Sequence, residues 1–75
     1  MLPGTLLAFE RAHPRHDGTK EETIRAKLGL TPARYYVLLG RAARSLEGMR
    51  ADAVTARRVR ERTERRGRQR SGRAA

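Results

Sequence analysis

Apolar residues recur three and four positions apart along this chain, and that spacing predicts helices. Leu2, Leu6, Leu7 and Phe9 make one stripe, on a helix running from about Leu2 or Pro3 to Ala12. Pro3 suits a first helical turn, where its missing N–H is not needed. His13-Pro14 ends this helix, and the link to Gly18 is rich in turn residues. A second helix is expected from Thr19, with Glu22 three residues on in the capping-box pattern. Ile24 and Leu28 lie on one face of it, and Gly29 is a natural stop in a left-handed conformation. Thr31 and Pro32 then give a start signal for a third helix. On that helix Tyr35, Leu38, Leu39 and Ala42 fall on one stripe, while Tyr36, Gly40 and Ala43 follow a less buried line. It is expected to span about 32–46. A fourth helix starts near Asp52 with a thin apolar face of Val54, Ala56 and Val59, and runs to about Arg66.

These elements predict an all-α chain: a three-helix helix-turn-helix core over 1–50, a basic C-terminal helix over 51–66 and a disordered, Arg-rich tail over 67–75. Two capped helices around one glycine are how a helix-turn-helix is written. In that reading Ile24, Leu28, Leu30, Tyr35 and Leu38 are packing. Arg25 stands where the motif usually has a small residue, so it must lean outward or the crossing must shift.

Composition narrows the function. The chain has 75 residues, of which 35% are charged. So little material hardly builds a dry catalytic cleft, and no enzyme is expected. Without cysteine, disulfides and thiolate metal sites are excluded. No apolar run approaches the roughly 20 residues that span a bilayer, and the N-terminus does not read as a secretory signal. A cytoplasmic, nucleoid-associated protein fits these features best.

The net charge is +10 and is unevenly placed. Residues 1–56 carry nine Lys or Arg and six Asp or Glu; residues 57–75 carry nine Arg and two Glu. Arginine's planar fork of donors suits phosphates and base edges. A G+C-rich genome would also favour Arg over Lys, but it does not account for the net charge.

Double-stranded DNA is therefore the expected partner. Candidate base-reading residues are Ala33, Arg34, Tyr36, Val37 and Arg41 on the outward face of the third helix. Arg34 is suited to the O6 and N7 of guanine. Candidate phosphate contacts are Thr31, Arg44, Arg57, Arg58, Arg62, Arg65 and Arg66, which would make binding fall steeply with salt. The protein would be a small transcription regulator or a phage-type DNA-architectural factor, with a homodimer, RNA polymerase or a sigma factor as further partners. The alternatives are an adaptor that docks on RNA polymerase, a sigma factor or another regulator, and RNA binding through the arginine tail. No cofactor, metal, membrane or small-molecule substrate is expected. His13 and His16 read as surface loop residues, and Glu21-Glu22 as a helix start, not a catalytic pair.

The segments Phe9-Glu10-Arg11, Gly18 with Lys20-Glu21 and Ile24-Arg25, and Arg34-Tyr35-Tyr36 with Leu39 carry a resemblance. Over about residues 7–66 the chain is similar to the small actinobacterial proteins grouped as the DUF3263 family. Where members usually have aromatic residues after the first segment, this chain has Ala12-His13-Pro14. The resemblance implies a helix-turn-helix close to the promoter-reading region of sigma factors and no defined activity.

Overall fold

The computed structural model describes the backbone of residues 1–74 and the side chains of residues 1–66. Among the described residues every regular element is helical. Helix α1 spans Pro3–Ala12, α2 spans Gly18–Thr23 and passes directly into a wider π-helical turn over Ile24–Leu28, α3 spans Pro32–Arg44, α4 spans Leu46–Ala51 and α5 spans Ala53–Ala74.

The starts and stops have local causes. Pro3 opens α1, and His13 closes it through its N–H on the Phe9 carbonyl. For α2 the expected capping box is replaced. Asp17 is the N-cap and accepts from the Lys20 N–H at 2.9 Å, so Thr19 lies inside the helix and Glu22 stays exposed. An Asp carboxylate is as good a cap as a Thr hydroxyl and adds charge at the positive helix end, which moves the start two residues earlier. Gly29 ends the π turn at φ 66°, where only a residue without Cβ is at ease. Thr31 caps α3 through the Arg34 N–H, with Pro32 in the first turn, as its sequence predicts.

Helix α3 stops at Arg44 and does not reach residue 46. Ser45 turns extended, bonds the Ala42 carbonyl through its hydroxyl, and caps the separate short helix α4 by accepting from the Gly48 N–H. A serine that satisfies both a carbonyl behind it and an N–H ahead of it divides one helical run into two. Gly48 must be glycine, because a Cβ there would lie 1.9 Å from the Ala42 carbonyl oxygen. Asp52 starts α5 by accepting from the Thr55 N–H and hydroxyl. These bonds, the backbone one foremost, hold its carboxyl below the usual value.

The core gathers Leu6, Leu7 and Phe9 of α1, Ile24 of the π-helical turn, Tyr35, Leu39, Ala42 and Ala43 of α3, and Ala56 and Val59 of α5. Each large apolar side chain fully buried contributes about 1.5–3 kcal/mol. Helix α3 is the central element, with α1 and α5 packed against it. Helix α5 therefore belongs to the same core as 1–50 and is no appendage. Three expectations about the stripes change. Leu2 is 71% exposed, Val54 is 61% exposed, and Ala43 is fully buried on the line expected to be the less buried one. Thr55 takes the buried place expected for Val54. Arg25 faces solvent, which removes its conflict with close helix packing. The helical backbone continues to Ala74, and the expected disordered tail of 67–75 falls where side chains lie outside the described residues.

Candidate nucleic-acid interface

Successive helical residues turn by about 100°, so α3 can be divided into faces. Tyr35, Leu39, Ala42 and Ala43 take the buried face. Ala33, Arg34, Val37, Arg41 and Arg44 are all exposed and fall together on the opposite one. Four of the five residues expected to read bases thus share one open arc, joined by Arg44. Among the described residues none of its three arginines has a carboxylate within ion-pair distance. Thr31 is exposed beside this arc, its hydroxyl occupied as the cap of α3.

Tyr36 is not on the arc. It is partly buried, its hydroxyl 2.8 Å from His16 Nδ1 and its ring edge-on to Tyr35 at 5.0 Å. Burial, then the nearby carboxylates of Glu10 and Glu21, raises its phenol above the usual value. Arg62, expected on phosphate, is also committed inward. Its Nη2 donates to Glu10 Oε2 at 2.9 Å, and its Nη1 touches His16 Nε2.

Both side chains belong to a polar hub that composition and periodicity do not reveal. Glu10 is 3% exposed, and its Oε1 accepts from Lys20 Nζ at 2.6 Å and from the Tyr35 hydroxyl at 2.7 Å. Burial alone would raise the Glu10 carboxyl. The hydrogen bonds from Lys20, Tyr35 and Arg62 outweigh it and hold the group below its usual value. Burial and the bond to Glu10 push the Tyr35 phenol far up, so it stays a donor. Lys20 Nζ also lies 5.8 and 5.6 Å from the Tyr35 and Tyr36 ring centroids, within cation–π range. His16 Nδ1 is 3.2 Å from Lys20 Nζ. Burial, then the Lys20 charge, depresses the His16 pKa. No buried side-chain polar atom among the described residues lacks a partner.

The histidines are therefore not idle loop residues. His16 closes the hub, and His13 stacks on Phe9 with ring centroids 4.5 Å apart. The signal for the hub lay in the resemblance alone: Glu10, Lys20 and Tyr35 come one each from the three segments that carry it.

The arginines of α5 divide by task. Arg60 donates to the Ala43 carbonyl at the end of α3, at 2.8 Å. Arg57 pairs with Glu61 at 3.0 Å, one turn on. Arg58, Arg65 and Arg66 are exposed and, among the described residues, without an ion pair. Arg58 and Arg65 line a cleft against α1 with Arg11, Glu10 and Glu61; Arg66 lines a groove against α3. The open arc of α3 and these three side chains are the part of the exposed basic surface that α3 and α5 supply; Arg15, Arg25, Lys27 and Arg50 are exposed elsewhere.

No described helix is long and apolar enough to cross a membrane, and no described His, Asp or Glu residues group as a metal site. No curated protein and no solved structure matches this chain. A family model does, over residues 4–71, and its description is "Protein of unknown function (DUF3263)". With its three motif segments meeting in one buried hub and the match covering nearly the whole chain, the protein belongs to the DUF3263 family.

Proposed function

We propose that this protein binds double-stranded DNA, with α2, the Gly29 turn and α3 acting as a helix-turn-helix. The observation that carries the reading is the open arc of α3, three arginines without carboxylate partners among the described residues, set among the small side chains Ala33 and Val37. Arg34 stands in the first turn of α3, the part of such a helix that reaches base edges. A guanidinium there matches guanine O6 and N7, and Val37 matches a thymine methyl. Arg44, Arg58, Arg65 and Arg66 supply phosphate contacts, which add affinity but little sequence information. Tyr36 and Arg62 support this surface from behind and do not read it.

In this reading the protein is a nucleoid-associated binder, a small transcription regulator or DNA-architectural factor, and not a catalyst. One short module covers few base pairs, so a second copy, RNA polymerase or a sigma factor completes the site.

The test is a selection of bound sequences from a random duplex pool, followed by anisotropy titrations of wild type and Arg34→Ala across salt. The variant should lose preference at one base pair, worth about 1–3 kcal/mol. Unchanged affinity and unchanged preference would show that Arg34 reads nothing.

A further inference from the structure

Helix α5 returns beside α3 in the opposite direction, with Arg60 at the Ala43 carbonyl and Arg62 down beside His16 and Tyr36. Between the two helices lies an open groove of about 390 Å³. Its floor is apolar, formed by Leu39 and Val59 with Val37 at the lip. Gly40 lies in its wall, and Arg66 and Arg62 line its other side.

Among the described residues nothing in the packing of the fold calls for a glycine at Gly40. It sits mid-helix, where glycine is about 1 kcal/mol worse than alanine. A Cβ added there would meet only Arg44 Nη1, at 3.9 Å. The missing side chain therefore keeps space open outside the protein's own packing. The Arg44 guanidinium lies beside Gly40, and Arg66 lines the groove on the α5 side.

The occupant is narrowed by what surrounds the floor. A single-stranded nucleic acid would need an aromatic face for stacking. Tyr36, the groove's one aromatic, is packed against Tyr35 at 5.0 Å and His16 at 5.5 Å and has Lys20 over its ring. Duplex DNA has phosphates for the arginines but offers little to fill an apolar floor. A floor for an aliphatic side chain flanked by cationic groups fits an amphipathic helix with acidic flanks.

We infer that the groove between α3 and α5 docks an acidic amphipathic helix of a partner protein, its apolar anchor over Gly40 and its carboxylates on Arg44 and Arg66. The groove adjoins the arc proposed for DNA, shares Val37 and Arg44 with it, and uses Arg66, proposed above as a phosphate contact. Duplex and partner helix would therefore compete for these residues.

The probe is a helical peptide of alanine and glutamate carrying leucines three and four positions apart. Its control is the same composition scrambled to break that spacing. Both are titrated into the isotope-labelled full chain and followed by amide NMR shifts. The ordered peptide should move Val37, Gly40, Thr63 and Arg66, and the scrambled one should bind roughly tenfold more weakly. Gly40→Leu, which fills the groove, should weaken the ordered peptide by a similar factor and leave duplex DNA affinity unchanged. Thr63→Glu, on the α5 side of the groove, should weaken the peptide without touching α3. Equal binding of the scrambled peptide, shifts confined to Ala33, Arg34 and Arg41, or full peptide affinity in both variants would overturn the inference. So would a duplex titration that moves the groove amides and loses as much affinity in Gly40→Leu as the peptide does.

Discussion

Lys20 Nζ and Glu10 Oε1 lie 2.6 Å apart, and each residue is only 3% exposed. Removing one partner of such a pair leaves the other charged and buried, which costs about 3–5 kcal/mol. Domains of this size hold roughly 5 kcal/mol in total. Glu10→Ala is therefore expected to leave the chain largely unfolded in a urea titration. Lys20→Met should cost less, because Tyr35 and Arg62 still serve the carboxylate. The Glu10→Gln, Lys20→Met double variant should be more stable than the sum of its singles, since no buried charge pair is left half made.

Acid should unfold the protein in two stages. The His16 pKa is depressed from its usual 6.5, chiefly by burial and then by Lys20. The unfolded state thus takes up the His16 proton first, and that part of the stability is full above about pH 6.5 and declines as pH falls below it. The Glu10 carboxyl is held below its usual 4.5 by the bonds from Lys20, Tyr35 and Arg62 against burial. Its contribution is full above about pH 4.5 and is lost through the more acid range. Denaturation midpoints measured from pH 8 to pH 3 check this. His16→Asn should flatten the first stage and leave the second, and a single acid stage in wild type would contradict the assignment.

Two helical glycines should respond to alanine with opposite sign. Gly40→Ala meets open space and should stabilise by up to about 1 kcal/mol. Gly48→Ala drives a Cβ to 1.9 Å from the Ala42 carbonyl and should destabilise clearly, moving α4 away from the end of α3. Thermal melts of both variants decide it.

The start of α2 is testable by its cap. Asp17→Ala should cost about 1 kcal/mol, because the Lys20 N–H loses its acceptor. Thr19→Ala should change stability far less, since its hydroxyl caps nothing. A larger loss for Thr19 would restore the later start.

Salt dependence should separate the arginines. If Arg66 contacts phosphate, Arg66→Ala should lower the slope of log affinity against log salt by about one. Arg57→Ala should lower it less, since Arg57 pairs with Glu61. Arg62→Ala should act mainly through stability, because its guanidinium is bound to Glu10.

Much of this fold was legible in local sequence. Pro3, Gly29, Thr31-Pro32 and Asp52 mark helix boundaries by backbone chemistry, which acts within a few residues. The arc of α3 was legible for the same reason, since helical periodicity fixes which residues share a face. What escaped depends on distant partners or on competing local bonds. Tyr36 and Arg62 look like exposed, free groups until Glu10 and His16 are placed beside them. Asp17 and Thr19 are both competent caps; the charge of Asp17 favours the earlier start, while the pairing of Thr19 with Glu22 in the capping-box pattern points to the later one. Ser45 splits one helical run because of a hydroxyl bond to the Ala42 carbonyl, a choice that periodicity does not encode.

The bond from Arg62 to Glu10 joins residues 52 positions apart. Emerging from the ribosome, α1 and α2 carry a carboxylate and an ammonium meant for an interior that does not yet exist. The last guanidinium comes only with α5, after α1 to α4 have been made. Contacts so far apart in sequence form late and together. A chain ended before Arg62 is accordingly expected to leave the Glu10 carboxylate short of one partner and to be cut by proteases faster than the full chain.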